Sequence, residues 1–514
     1  MNQIFKYLLL LVIASSIFIQ CKKEKKSART DDSQSKNYIA VSLNDSRAEI
    51  IEKAANVTPS PQQLDWQKME LTAFMHFGIN TFTDREWGDG TENPEIFDPK
   101  ELDASQWVKT CKEAGMKLII LTAKHHDGFC LWPSDYTEHS VKNSPWKNGK
   151  GDVMAELAMA CREQGMKLGV YLSPWDRNNG LYGTEAYNDY FVNQLTELLT
   201  NYGDVAEVWF DGANGEGPNG QKQIYDWQRY YQTIRTLQPQ AVIAIMGPDI
   251  RWVGTESGYG RDTEWSVVPE SVQDEDKIAA TSQQQQGTFR PKLDFQSKDI
   301  GSVEKLIEAD RLIWYPSEVD VSIRPGWFYH KNEKAKSVEK LLDIYYSSVG
   351  KNSVLLLNIP PDTRGLIDEN DAKILKEWRQ KINETFKNNL AEKSIIRING
   401  NKVKKAKMMF DGNFDTYWMA NIDTPSLEIK LDGEKTFDRL LLQEQITVGQ
   451  RVENFRFEAK VDGHWKSIAQ GTTIGYKRLL RFPRVTTSIL RLTIVKSRAK
   501  PTIAEFGIYD SGTK

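Results

Sequence analysis

A (β/α)8-like barrel of the TIM type followed by a C-terminal β-sandwich is the α/β architecture that this sequence predicts, on three observations. The first is a repeated unit. CKEAGMKLIIL at 111–121 and CREQGMKLGVY at 161–171 agree at six of their first eight positions, 50 residues apart. In each, an amphipathic helix (Trp107, Val108, Cys111, Ala114; then Met154, Leu157, Ala158, Cys161) stops at Gly115 or Gly165, and a strand follows at once. Glycine there suits the left-handed position just past a helix end. The second observation is that apolar runs keep this beat: 71–79, 117–123, 167–173, 205–212, 241–247, 264–268, 314–323 and 353–361. Eight such runs alternating with helical segments such as 186–201 and 334–348 fit a closed parallel barrel better than a doubly wound sheet. The third is a change of texture after about residue 385. IRINGNKV, SLEIKLDG, DRLLLQEQI, RFEAKVDGHW and ILRLTIVKS are short alternating strands divided by turn residues, the pattern of a β-sandwich or jelly roll.

These observations divide the chain of 514 residues into a barrel over 61–384 and a sandwich over 385–514. Before them, Lys6, an apolar run from Tyr7 to Ile19 and Cys21 read as an export signal over 1–21. Cys21 at its end resembles the cysteine of a bacterial lipoprotein signal, although Gln20 departs from the small residue usual before it. The expectation is an exported protein, periplasmic or lipid-anchored at the cell envelope. Residues 22–60 are expected to be a tether, charged and poor in large apolar groups over 22–36. The segment 271–300, with its SQQQQG run, reads as a long polar loop.

Bulk composition excludes some partners and leaves others open. A net charge of −3 gives no electrostatic footprint for nucleic acid. The 15 Trp are compatible with stacking on sugars, and equally with ordinary cores. Cys111, Cys130 and Cys161 lack metal-ligand spacing, and two of them occupy apolar helix positions, as buried structural thiols do. No glycine-rich nucleotide fingerprint follows any strand, so no cofactor is implied.

In such a barrel chemistry collects where strands end at their carboxyl side. That rule gathers His76 after the first run, His125, His126 and Asp127 after the second, and Tyr171, Trp175 and Asp176 after the third. Asp211 closes VAEVWFDG, Arg251 and Glu256 lie in GPDIRWVGTESG, and Glu318 precedes Trp327; Glu86 and Trp87 lie in the loop after the first run. Asp211 and Glu256 thereby stand above adjacent strands. A pair of carboxylates among His, Tyr and Trp is what glycoside hydrolysis requires, one to attack or stabilise the anomeric carbon and one to protonate the leaving oxygen. His126, Arg251 or Tyr171 are the expected partners of an ionised Asp211, and Trp252 the apolar neighbour of Glu256.

MHFGINTF, REWGDG, TAKHHDGFCLW, GVYLSPWD, EVWFDGANG and WYPSEVDVSIRPGWFYH resemble glycoside hydrolase family 29, the α-L-fucosidases, over roughly residues 65–360. The resemblance implies a retaining two-step mechanism with Asp211 as nucleophile; no metal is expected, on the His count given below. It places fucose-binding groups on His76, Glu86, Trp87, His125, His126, Tyr171 and Trp327, and GTESG puts the acid/base on Glu256. REWGDG and GTESG look like the branch that prefers α-1,3/1,4 linkages, with a broader branch acting on α-1,2, α-1,6 and aryl fucosides as the alternative. Trp175 and Arg251 join the binding set by position. FDGNFDTYW, DGHWKSIA and IAEFGIY resemble an F5/8 type C module, often carbohydrate-binding. The implied partner is a fucosylated oligosaccharide or glycoconjugate, with no nucleic acid and with membrane contact only through Cys21. Two other classes compete: a non-catalytic fucose lectin, which needs no carboxylate pair, and a metal-dependent barrel hydrolase. The latter wants ligands on more strands than six His supply, with none between His139 and His330.

Overall fold

The structure, a computed structural model, describes residues 37–282 and 298–512. Its catalytic-sized part is a parallel barrel of eight strands: β1 (Leu71–Met75), β2 (Leu118–Lys124), β3 (Lys167–Leu172), β4 (Glu207–Phe210), β5 (Val242–Ile245), β6 (Arg251–Trp252), β7 (Ser317–Ser322) and β8 (Ser353–Asn358). Pairing runs β5-β4-β3-β2-β1-β8-β7-β6. The seam between β5 and β6 is closed by a single parallel bridge, with Ile245 N–H donating to Ile250 O at 3.0 Å. The strands are almost wholly buried and rich in Val, Ile and Leu, because helices cover one side and the packed barrel interior the other.

The repeated unit folds as its residues dictate. Asp103 and Asp152 cap the helices Ala104–Glu113 and Val153–Gln164 by accepting from backbone N–H groups three residues on. Gly165 takes the left-handed cap at φ 67°, and Gly115 follows its helix at φ 89°. Cys111, Cys130 and Cys161 are free and buried, and burial pushes the Cys161 thiol up to about 12.

Three expectations are corrected. EWSVV is not a barrel strand: Val267–Pro269 pairs antiparallel with Arg311–Trp314, which also pairs with Tyr38–Ala40. The sixth stave is the two-residue β6, which follows β5 with no helix between and pairs in parallel with Ser317 and Glu318. The tether does not extend to residue 60. Ser46 forms a capping box with Glu49 at the start of helix Arg47–Asn56, and Ile50, Ala54 and Val57 pack with Leu312, Trp314 and Ile446. That apolar stripe at i, i+4 and i+7 is diluted by charged neighbours and escapes a reading by composition. Lastly, the segment expected as a polar loop over 271–300 contains helix Glu275–Ser282. The export signal, Cys21 and residues 283–297 lie outside the described residues.

Beyond helix Glu369–Thr385, the C-terminal module is a seven-stranded antiparallel sheet with its own core. Two long strands, Ser426–Gln443 and Arg478–Ser497, pair with register shifts near Lys430 and Phe437. Such irregularities bend strands as a jelly roll requires.

Candidate active site

A cavity of about 610 Å³ opens at the carboxyl ends of the barrel strands, lined by Phe74, His76, Glu86, Trp87, His125, His126, Trp209, Asp211, Trp252, Glu256, Asp320, Trp327 and Glu333, among others. Its size suits one sugar ring with room for part of the next.

Asp211 leaves β4 with both oxygens engaged. Tyr171 Oη donates to Oδ2 at 3.0 Å and Ala213 N–H to Oδ1 at 2.7 Å, which fixes the carboxylate's direction. His126 Nε2 lies 3.8 Å from Oδ2. Ser173 Oγ gives its hydrogen to Trp175 O at 2.7 Å, so it accepts from His126 Nδ1 at 2.7 Å. The lone pair of His126 is therefore on Nε2, toward Asp211. His76 is set by Asn358: its backbone N–H and Nδ1 both donate to Asn358 Oδ1, at 3.1 and 2.9 Å. Asn358 Nδ2 donates in turn to Trp327 O at 2.7 Å. Burial drives the pKa of all three histidines down, His76 to about 3, with the neighbouring imidazoles adding to the effect on His76 and His125. All three are neutral at ordinary pH, and His76 and His126, whose Nδ1 hydrogens go to Asn358 and Ser173, offer a polyol the lone pair on Nε2.

Glu86 comes in from the loop after β1. It accepts from the N–H groups of Trp327 and Phe328 at 2.8 and 3.2 Å and from His330 Nε2 at 2.7 Å. Glu256 accepts from Trp327 Nε1 at 3.2 Å. Beside it, burial and the charge of Glu256 push Asp320 well above the ordinary carboxyl range, while Trp252 Nε1 donates to Asp320 at 2.8 Å. Trp87 is 48% exposed at the rim, edge-on to Trp175 and His126. Ile245 ends β5 at φ 66° and lines the cavity; a β-branched residue in the left-handed region is strained.

Of the residues expected from sequence, His76, Glu86, Trp87, His125, His126, Asp211, Glu256 and Trp327 share the cavity, and Tyr171 reaches it through Asp211. Trp175 packs behind His126 and donates to Glu216 O at 3.0 Å, a supporting place and not a lining one. Arg251 does not join them. Its guanidinium turns away from the cavity, with Nε donating to Tyr315 O at 2.9 Å and Nη2 pairing with buried Glu264, because successive side chains of a stave alternate between its two faces. Asp127 and Asp176 likewise turn to structural partners, Asn80 and Lys124. Asp211 and Glu256 are not above adjacent strands, since β5 stands between β4 and β6; they converge because both loops lean over the mouth. Sequence reasoning missed Phe74, Trp209, Asp320, Ile245, Glu333 and His330. Phe74, Trp209 and Asp320 lie inside the strands, where alternation alone could have aimed them inward.

A family model described as alpha-L-fucosidase matches residues 57–383. The chain belongs to the α-L-fucosidases of glycoside hydrolase family 29. A second model, the F5/8 type C domain, matches 391–506. Alpha-L-fucosidase 1 of Arabidopsis thaliana is 45% identical over 463 residues, covering 88% of this chain and 87% of that one. Among solved structures, a Ruminococcus gnavus family 29 fucosidase in complex with fucose superposes with a TM-score of 0.77 at 34% identity, covering 88% of this chain and 95% of its own. A family 29 member from an unknown rumen bacterium gives 0.75 at 43%, covering 89% and 78%. This fucosidase is therefore a hydrolase acting on fucosides, and the lectin reading falls away. Its substrates are fucosylated glycans.

Proposed function

We propose that this fucosidase works by retention, with Asp211 as nucleophile and Glu256 as acid/base, on terminal fucose in α-1,3/1,4 linkage. One observation carries the reading: Asp211 and Glu256 face one cavity, in company with neutral histidines, Glu86, Asp320 and Glu333. Asp211 attacks the anomeric carbon while Glu256 gives its proton to the departing oxygen. Water then hydrolyses the fucosyl-enzyme with Glu256 as base. Retention in this way asks for carboxyl groups roughly 5–5.5 Å apart. His76, His125, His126 and Glu86 take the hydroxyls, and Trp87 and Trp327 offer aromatic faces. Hydrogen-bonded hydroxyls select the sugar more sharply than apolar fit does. The GTESG loop and REWGDG support the α-1,3/1,4 preference. The apolar N-terminal run and Cys21 support export with a lipid anchor at the envelope.

The test combines anomer detection by NMR with two variants, on a Lewis-type oligosaccharide, 2'-fucosyllactose and an aryl fucoside. Retention releases α-L-fucose first; β-L-fucose first would overturn it. Asp211→Gly should lose turnover by at least about 10³-fold while still binding fucoside. Glu256→Ala should lose more on the oligosaccharide than on the aryl fucoside, whose leaving group needs no proton. Faster release from 2'-fucosyllactose than from the Lewis-type glycan would overturn the linkage assignment.

A further inference from the structure

Between the loops after β1 and β7, one imidazole is held by carboxylates on both nitrogens. His330 Nδ1 lies 2.7 Å from Asp84 Oδ1, and its Nε2 lies 2.7 Å from Glu86 Oε1. An ionised carboxylate has no hydrogen to give, so both contacts are hydrogen bonds only when both ring nitrogens carry protons. The structure is thus drawn around an imidazolium. Glu86 extends the connection, accepting from Trp327 N–H, and the Trp327 indole donates to Glu256. Packing at the joint is close: a Cβ on Gly326 would sit 2.5 Å from Glu86 Oε1 and 2.9 Å from His330 Cδ2.

We propose that protonated His330 is a positioning residue, a clasp that joins the two loops and holds Glu86 and Trp327 against the sugar, so that fucose affinity falls when the clasp loses its proton. This rests on the reading of the cavity as the fucose site. The groups facing His330 are Asp84 and Glu86 from the loop after β1 and Glu333 from its own loop. Arg324 and Lys336 of that loop are engaged elsewhere, Arg324 on Asp371 and Lys336 on the carbonyls of Ser322 and Arg324. Burial opposes the charge on His330, but the bonds to Asp84 and Glu86 and the charges of Glu86 and Glu333 outweigh it and raise its pKa above the ordinary imidazole value of 6.5. A raised folded value means that the clasp is complete below that ordinary value and is lost as pH rises through the higher one. The cavity histidines do not produce this transition, because burial moves each of them the other way.

The test is fucose binding by calorimetry from about pH 6 to about pH 9. Fucose is the product, so its affinity is independent of which carboxylate attacks. The wild type should bind more weakly as pH rises through the transition. His330→Gln, which is uncharged and carries its donors on a single nitrogen, should bind about tenfold more weakly at pH 6 with a flat profile, its thermal midpoint serving as the folding control. Asp84→Asn keeps a residue tolerant of the left-handed turn at φ 56° and removes one anion. It should leave affinity at pH 6 within about threefold and move the transition to lower pH. A His330→Gln enzyme with wild-type affinity and an unmoved alkaline transition would overturn the clasp. Absence of fucose binding by the wild type at every pH would instead overturn the site reading on which it rests.

Discussion

Trp209 lines the cavity, and its indole is anchored to a buried acid. Nε1 donates to Glu318 Oε1 at 2.8 Å; behind it Glu207 accepts from Trp66 Nε1 at 2.8 Å. The two glutamates interact electrostatically in the barrel interior, where Glu207 Oε1 and Glu318 Oε2 meet no donor. Burial raises both, Glu207 to about 7, and the charge of Glu207 raises Glu318 further. Two carboxyl groups in contact without water share one proton at neutral pH. Because their folded values lie above the ordinary glutamate value of 4.5, the folded state binds more protons than the unfolded chain between about 4.5 and 7. Stability is therefore highest at the acid end of that window and falls as pH rises through it, by up to ~1.4 kcal/mol per pH unit for one proton. Glu318→Gln removes the shared proton while its amide oxygen still accepts from Trp209. Urea unfolding at a series of pH values should show a shallower decline for the variant. Parallel curves would mean that no proton is shared.

At the scale of elements, β6 is where sequence and fold part company. Of the seven other staves, six carry a largely apolar run, the mark of a strand buried on both faces, and β7 carries valines alternating with acidic residues inside the run 314–323. β6 is two residues long, holds an arginine and follows β5 without a helix, so it leaves no such mark. EWSVV has the mark and lies in another sheet, because burial on both faces does not say which neighbour a strand pairs with. Residues of the cavity were legible where they directly follow a strand, as His76 and Asp211 do. His330 was not: its acidic partners are more than 240 residues away in sequence, and no local pattern announces them. Arg251 shows the converse, a charge in the right place that faces the wrong way. It joins Arg261 around Glu264, a buried cluster of two guanidinium groups and one carboxylate beneath the site. Removing the shared anion takes from two buried guanidinium groups the carboxylate they both pair with. Glu264→Gln should cost about 3–5 kcal/mol in denaturant unfolding. A loss under about 1 kcal/mol would show the cluster to be well hydrated, as exposed pairs are.

For the whole molecule, the question is whether the C-terminal module is an appendix or part of the barrel's own support. Its contacts answer in physical terms. Gln450 Nε2 donates to Glu264 O at 2.9 Å and its Oε1 accepts from Ser266 N–H at 2.8 Å. Thr473 Oγ1 accepts from Glu264 N–H at 3.0 Å, and Tyr476 N–H donates to Asn352 Oδ1 at 2.7 Å. Arg498 reaches Gly301 O, Lys477 pairs with Glu70, and Ile446 packs into the cluster with Ile50 and Trp314. Most of the polar partners are backbone groups of the segment between β6 and β7, whose secondary structure among the described residues is short. Without the module, each buried N–H or C=O left unpaired costs about 1–3 kcal/mol, against a total stability of about 5–15 kcal/mol for a typical domain. A chain ending after Thr385 should therefore fail to give a cooperative unfolding transition or fucosidase activity, even though every cavity residue is retained. The same accounting predicts that Gln450→Ala in the full chain lowers stability by about 1–3 kcal/mol with fucose affinity unchanged, since Gln450 supports the segment and touches no part of the cavity. Should the truncated chain unfold at the wild-type temperature and turn over substrate at the wild-type rate, the module is an independent attachment and the shared hydrogen bonds carry no net stability.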